Sequence, residues 1–564
     1  MDRRVWLSVG MLLVGGSLLF AAAAGRAAPA KLGQGGTLRL ELPWADIDDV
    51  DPSLAYGHVT WALEYSTALK LFNYPDAPGP RGSRLIPEGA TAFKVSNSGR
   101  TYTFTIRKGF RFSDGSPVTA ANYAFAINRA LGNELQSPAF QFVADEHATN
   151  VVGAQDVRDG RASDASGVRV RGNKLTITLT EPDGTFLSKI SMPFFQALPL
   201  DLSRTSKVIG VDESRPLPSA GPYYVTRRTP SGFGQGDGLV VLKRNPYYAQ
   251  NVGRRYRRRP AVPDRIHLET ARGLYESYEE VKRGGADYSF DLPPTAGKEL
   301  EEEFGLMGRF RIRPSNCINY IAMNTSNRLF RNNPRLRRAV NYVLDRRGMA
   351  ELGNSGGTSL VPTDQYLPRG FPGFENIDAY PFSPNVAKAR ALARGHVPSG
   401  RWIYYYGLAS PGPQRMALVR TQLAKIGIDI DPHGFRGFQP DPADKRNSPH
   451  AFVTRAWCQD YSDPFDFINT LLYGGTLKDE NNNNVSYFDS PAYNSRMERA
   501  AKLTGDARLR AYTKLEHDLV TKAAPWAAWA QPANQFFFGD RVDMRSFVYQ
   551  PIYETPPFNA LALK

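Results

Sequence analysis

Apolar and polar side chains alternate along this chain in short runs that glycine, proline or aspartate close. The run "GGTLRLELPW" has a two-residue period and predicts the first strand of the folded chain. In "RTYTFTIRKGF", Tyr102, Phe104 and Ile106 share one strand face and threonines take the other. The Asp-Gly pair in "SDGSP" suits a turn with positive φ. Thr119 then predicts the cap of a helix that carries Tyr123, Phe125, Ala126 and Ile127 inward. "NKLTITLT" is a further alternating strand, ended by "EPDG", and "GPYYVTRRTPSGFGQGDGLVVLKRNPYY" predicts a hairpin. Beyond it the period changes to that of helices. "NPRLRRAVNYVLDRRGMAEL" buries Leu336, Val340, Val343 and Leu344 as one stripe, and "NVAKARALARG" predicts another helix. "QRMALVRTQLAKIGIDI" predicts a helix running into a strand, and "DARLRAYTKLEHDLVTKAAPWAAW" a long helix that stops near Pro525. Helices and strands alternate without an internal repeat, which predicts an α/β architecture.

At 564 residues the chain exceeds what one hydrophobic core holds, so several cores are expected. The formal charge of +15 changes the picture less than its size suggests, because the basic residues are dispersed. The one dense run, "GRRYRRRP" at residues 253–260, reads as a solvated loop between two strands. No zinc-finger spacing, RNP-like strand or helix-turn-helix accompanies it, so nucleic acid is not the expected partner. The N-terminus has the order of a secretory signal: Arg3 and Arg4, an uncharged stretch, then small residues with A-x-A matches. A cleaved leader over residues 1–30 is expected, with an uncleaved anchor as its rival and twin-arginine export as a weaker match. Either route places the folded chain in a periplasmic or other extracytoplasmic compartment. Two cysteines in an oxidising compartment leave a disulfide open to them.

Motifs for catalysis are missing. The seven histidines form no H-x-H or H-E-x-x-H spacing, neither cysteine has a C-x-x-C partner, and no G-x-S-x-G elbow occurs. "GFGQGDG" resembles a phosphate loop, but a strand follows where a helix N-terminus is needed. The chain is expected not to be an enzyme, and neither a cofactor nor a metal is called for. A hydrolase whose site assembles only in space stays open as a rival.

Taken in order, "LIPEGATAFKVSNSGRTYTFTIRKGFRFSDGSPVTAANYAFAINRAL", "GPYYV", "LKRNPYYA", "YIAMNTSNRLFRNNPRLRRAVNYVLDR", "YLPRGFPGF", "LAKIGIDI" and "CQDYSDPFDFINTLL" resemble the solute-binding proteins of ABC importers. The class is the peptide/nickel one (family 5), with its dipeptide- and oligopeptide-binding members. The resemblance implies a periplasmic-binding-protein type II-like α/β fold, with two lobes closing on a hinge of two crossing segments. It further implies a discontinuous first domain (36–55, 185–316 and 526–564), an inserted second domain (56–184) and a second lobe (317–525). The implied function is capture of a small peptide, oligopeptide or dipeptide, by a monomer that delivers it to a membrane permease with its ATPase. Another solute on the same fold (a sugar, an opine or a metal chelate) is the alternative, as is sensing in place of import.

The resemblance also assigns residues. Cys317 and Cys458 occupy the places of a disulfide pair found in oligopeptide-binding relatives. Asp460 falls where relatives hold the ligand's α-ammonium, although it also reads as a cap for the helix starting near "PFDFINTLL". Asp463, directly before Pro464, is the better cap. The ligand backbone is expected as an added strand along Ala456, Trp457 and Cys458, with Trp457 flooring a side-chain pocket. Arg455 is assigned to a ligand carboxylate only by assuming a one-residue deletion. Tyr461 adjoins the acid, and Tyr56, His58 and Trp61 face the cleft from the first lobe, with core packing the alternative for Trp61.

Overall fold

The computed structural model describes residues 32–564 except 44–45, 145–149, 232–237, 254–255, 257, 294–295, 306–307, 354–358, 409–410, 436–447 and 480–481. The leader expected over residues 1–30 lies outside the described residues, as does most of the "GFGQGDG" loop. Among the described residues, no helix is long and apolar enough to cross a membrane.

Three sheets carry the fold. A five-stranded mixed sheet has the strand order Tyr288–Ser289, Thr37–Leu42, Arg265–Thr270, Gly238–Arg244 and Tyr223–Thr229, the last two forming the antiparallel hairpin. Leu38, Leu40, Ile266 and Leu268 put one face of it into a core shared with Phe536 and Phe538. A four-stranded antiparallel sheet (Ala90–Ser96, Thr101–Ile106, Lys174–Thr178, Val168–Arg171) packs on the helix Ala120–Leu131. Tyr102, Phe104 and Ile106 are buried there with the alternation read from the sequence. The helix starts at a capping box in which Thr119 and Asn122 answer each other, Thr119 N–H donating to the Asn122 Oδ1 at 2.8 Å.

The third sheet has seven strands and forms the second lobe. Its central order is Phe310–Pro314, Trp526–Phe537, Cys317–Met323, Phe452–Cys458, Arg401–Gly407 and Asp429–Phe435. Ser359–Pro362 adds to Trp526–Phe537. The largest core lies against this sheet and takes in Ile318, Tyr320, Val340, Phe452, Phe467 and Trp526. Trp526–Phe537 is buried almost throughout because it belongs to two cores: Trp526 to Ala530 lie in the second lobe, Phe536 in the first. The segment from Phe310 to Ile318 makes the same passage in the opposite direction. Two lobes joined by two crossing strands result.

Three departures from the sequence pattern have local causes. The helix expected over residues 333–352 is two helices, Pro334–Val343 and Arg346–Glu351, because Asp345 accepts the Gly348 N–H at 2.9 Å and starts a new first turn. The helix Gly505–Asp518 passes into a π turn, Leu519–Ala523, and ends where Ala524 takes φ +48° before Pro525. The basic run at 253–260 is not a simple solvated loop. Arg259 is buried, paired with Glu88 at 2.7 Å and bonded to the carbonyls of Tyr65 and Ala68. A buried Glu88 carboxylate without that cation would carry a full desolvation cost.

Candidate functional site

The strand Phe452–Cys458 leaves the second-lobe sheet toward the first lobe and positions the turn 459–464. Along one edge it pairs with Cys317–Met323 over its whole length, and its last residue is bonded to Cys317 by a disulfide. Along the other edge it pairs with Arg401–Gly407 only at Phe452 and Val453. Among the described residues, the stretch from Thr454 to Cys458 therefore presents an open sheet edge, on which Ala456 and Cys458 are exposed.

The turn after this strand is held from below. Asp463 takes a two-pronged ion pair from Arg508 at 2.8 Å on each oxygen, and its Oδ1 also accepts the Phe465 N–H at 2.9 Å. Arg508 in turn donates to the carbonyls of Ala500 and Ala501. Asp463 thus opens the helix Phe465–Leu472, as its place before Pro464 predicts, and Asp460 does not cap it. Instead the Asp460 backbone N–H donates to Asp466 Oδ2 at 2.8 Å, and the Asp460 side chain is directed into the space between the lobes.

There Asp460 meets the first lobe. The Tyr56 hydroxyl donates to Asp460 Oδ1 at 2.6 Å across a sequence gap of 404 residues. The Tyr56 ring is fixed by Trp61, Phe142 and Phe194, with centroids 5.6, 6.2 and 5.8 Å away. Burial raises the Asp460 pKa to about 6, and the bonds from Tyr56 and Asp466 pull against that rise. Asp466 is raised well above the carboxylate range by burial first and then by the charge of Asp460. Burial and the Asp460 charge likewise raise the Tyr56 phenol.

Asp460 and Tyr461 line an interlobe cavity of about 780 Å³. Gln141, Phe142, Glu181 and Lys189 form its first-lobe wall; Phe465, Asn469, Tyr473, Lys478, Glu498 and Lys502 form the opposite one. The walls also touch beside it. Lys189, paired with Asp183 at 2.9 Å, stands 5.1 Å over the Phe465 ring, and the Gly184 N–H donates to the Ala501 carbonyl. Tyr461 is buried edge-on against Phe142. A space of this size with charges of both signs suits a polar molecule of several residues' bulk better than an apolar one.

The structure divides the residues singled out from the sequence. Asp460, Tyr461 and Tyr56 come together at the cavity. Ala456, Trp457 and Cys458 lie on the strand leading to it; Trp457 is half-buried against the second-lobe core. Arg455 stacks on Phe435 at 5.3 Å and is no part of the cavity wall. His58 lines a separate, smaller cavity of about 160 Å³ with Asp291, Asn534 and Glu554. The residue keeps solvent-exposed surface, and desolvation by its surroundings lowers its pKa. Trp61 is a core residue whose indole N–H donates to the Ala55 carbonyl. Sequence reasoning missed Lys189, Glu181 and Glu498, which no motif marks. Asp466 stood in the quoted motif, but only its position beneath Asp460 in space gives it a role. Among the described residues no group of three or more His, Cys, Asp or Glu is placed to hold a metal ion.

Comparison with known proteins agrees with this arrangement. The chain is 24% identical over 475 residues to heme-binding protein A of Haemophilus influenzae, covering 79% of each chain. It is 23% identical over 452 residues to the periplasmic oligopeptide-binding protein OppA of Salmonella typhimurium, covering 77% of each. Among solved structures it superposes on clavulanic acid biosynthesis oligopeptide binding protein 2 with a TM-score of 0.82 at 22% identity, over 94% of this chain and 96% of that one. The family model for bacterial extracellular solute-binding proteins, family 5 Middle, matches residues 84–479. With its two lobes, crossing strands and interlobe cavity, the chain belongs to the bacterial extracellular solute-binding proteins of family 5.

Proposed function

We propose that this protein captures a short peptide, an oligopeptide or dipeptide, between its lobes for delivery to an ABC permease. The observation that carries the reading is Asp460, a carboxylate without a cationic partner among the described residues, at the end of an open strand edge and facing a polar cavity. A peptide brings what that arrangement lacks. Its backbone supplies donors and acceptors for the edge from Thr454 to Cys458, and its α-ammonium supplies a cation for Asp460. Water leaves as the lobes close, so the charged hydrogen bond strengthens while a ligand without a cation leaves the acid desolvated and unpaired. The names of relatives such as OppA and the murein peptide-binding protein MppA of Escherichia coli support the same ligand class. No step of the proposal breaks a covalent bond.

The first-lobe stretches 36–55, 185–316 and 526–564, the inserted segment 56–184 and the second lobe 317–525 are the units we propose to move against each other. The five- and four-stranded sheets fall in the first two, and the largest core lies mainly in the third but also takes in Trp526–Ala530, where the crossing strand starts inside the second lobe. The protein acts as a monomer outside the cytoplasm in this reading. The test is calorimetry with tri-alanine and its N-acetylated form. Tri-alanine binds, the acetylated form binds at least tenfold more weakly, and Asp460→Asn loses at least tenfold in affinity with an unchanged circular dichroism spectrum. Equal affinity of wild type and Asp460→Asn for tri-alanine overturns the assignment.

A further inference from the structure

Asp460 does not stand alone. Asp466 lies directly beneath it on the first turn of the helix Phe465–Leu472, only 1% exposed, and anchors the Asp460 backbone N–H through Oδ2. Its other oxygen, Oδ1, is buried with no hydrogen-bond partner. The Trp457 indole faces the same carboxyl, and its N–H also lacks a partner of hydrogen-bond geometry. The cations nearby are committed elsewhere: Arg508 holds Asp463 and Lys189 holds Asp183. The other titratable neighbours facing the pair are phenols, Tyr56 on Asp460 and Tyr461 beside both acids. Lys478, Lys502, Glu181 and Glu498 stand on the cavity wall beyond. The 2.8 Å bond from the Asp460 N–H to Asp466 Oδ2 sets the two acids side by side, Asp466 buried and Asp460 half-buried, and two neighbouring carboxyls without a committed cation resist ionising together.

We propose that Asp466 is the positioning and specificity-determining residue beneath Asp460: in the empty cleft the two carboxyls share one proton, and a guest's ammonium is taken up in exchange for that proton. The inference rests on the peptide-capture reading and deepens it. In the empty cleft Asp466 donates its proton to Asp460. When an ammonium group reaches Asp460 and donates to it, two negative charges face one positive charge, and the Asp466 proton passes to solvent. The exchange selects for guests with a strongly cationic end and against neutral ones, which leave the proton in place. It also makes capture weaken on acidification. Both acids are raised above the ordinary range, Asp460 to about 6 and Asp466 well above its usual value, so a growing share of empty sites holds the proton as pH falls through that window.

Two measurements test this. The first needs no ligand: infrared difference spectra of wild type against Asp466→Asn at about pH 7, where a shared proton gives wild type a protonated-carboxyl band that the variant lacks. The second is calorimetry of tri-alanine in phosphate and in Tris, whose different ionisation enthalpies report proton release. Wild type releases about one proton per peptide and loses up to about tenfold in affinity per pH unit toward pH 5. Asp466→Asn releases no proton at about pH 7–8 and loses affinity only where Asp460 itself titrates, near about pH 6, whereas a merely structural role for Asp466 would weaken binding without abolishing the proton release at about pH 7–8. Missing infrared intensity, or tri-alanine binding to wild type with no proton released, overturns the inference while peptide capture stands. If tri-alanine does not bind, the peptide reading fails, and the infrared band alone decides whether the proton is shared.

Discussion

The ion pair between Asp463 and Arg508 holds the turn that presents Asp460, and its energy is open to measurement. Both side chains are buried, at 12% and 3% exposure, so water screens the pair little. Arg508→Met removes two charged bonds of 2.8 Å and leaves Asp463 with the single N–H of Phe465. It also removes the donors that satisfy the carbonyls of Ala500 and Ala501. An uncompensated buried charge costs about 3–5 kcal/mol, and Arg508→Met belongs in that range. Asp463→Leu strands the guanidinium instead, although the carbonyls still accept from it, so its cost falls toward the lower end. The double variant removes both charges and is less destabilised than the two single costs added together, by about 2–3 kcal/mol. Urea unfolding of the four proteins, followed by tryptophan fluorescence, gives that coupling directly. A coupling below about 0.5 kcal/mol would mean that the pair does not hold the turn, and the account of how Asp460 is positioned would fall with it.

Three further outcomes follow from the same structure. The Cys317–Cys458 disulfide closes a loop with a sequence separation of 141, so the chain-entropy relation gives about 5 kcal/mol of stabilisation; replacing both cysteines by serine should lower the second-lobe unfolding midpoint accordingly, and a change under about 1 kcal/mol would contradict it. Burial pushes Glu516 up to about 8, and its Oε1 accepts the N–H groups of Tyr366 and Leu367 at 3.0 and 2.8 Å. A raised carboxyl pKa makes stability greatest below the unfolded value of about 4.5 and lost as pH rises toward about 8, so Glu516→Gln should flatten the stability profile between about pH 5 and 8 by up to about 1.4 kcal/mol per pH unit, read from urea midpoints. Glu554 ties the C-terminal segment to both crossing strands, accepting the Asn316 N–H at 2.6 Å and an Asn534 amide N–H at 3.2 Å. Glu554→Ala strands the Asn316 donor and should cost about 1–3 kcal/mol in thermal or urea unfolding.

Much of this protein was written in local pattern. The two-residue alternation of Thr101–Ile106, the cap at Thr119, the hairpin from Tyr223 to Arg244 and Asp463 before Pro464 are each decided within a few residues. Backbone hydrogen bonding and side-chain direction act over that range, so sequence alone determined the elements, the α/β class and, through the order of its motifs, the family. Tertiary structure decided what depends on distant partners. Nothing in "GRRYRRRP" says that Arg259 is drawn inward by Glu88, far back in the chain. No motif joins Tyr56 to Asp460 across 404 residues, or sets Lys189 and Glu498 on facing walls of one cavity. Asp466 is the sharpest case. In sequence it is one acid of an acidic turn, whereas in the fold burial and the Asp460 carboxyl raise its pKa well above the carboxylate range. Sequence spacing fixes which residue types are present, but the charge each one carries is set by desolvation and by neighbours that only the folded chain brings together.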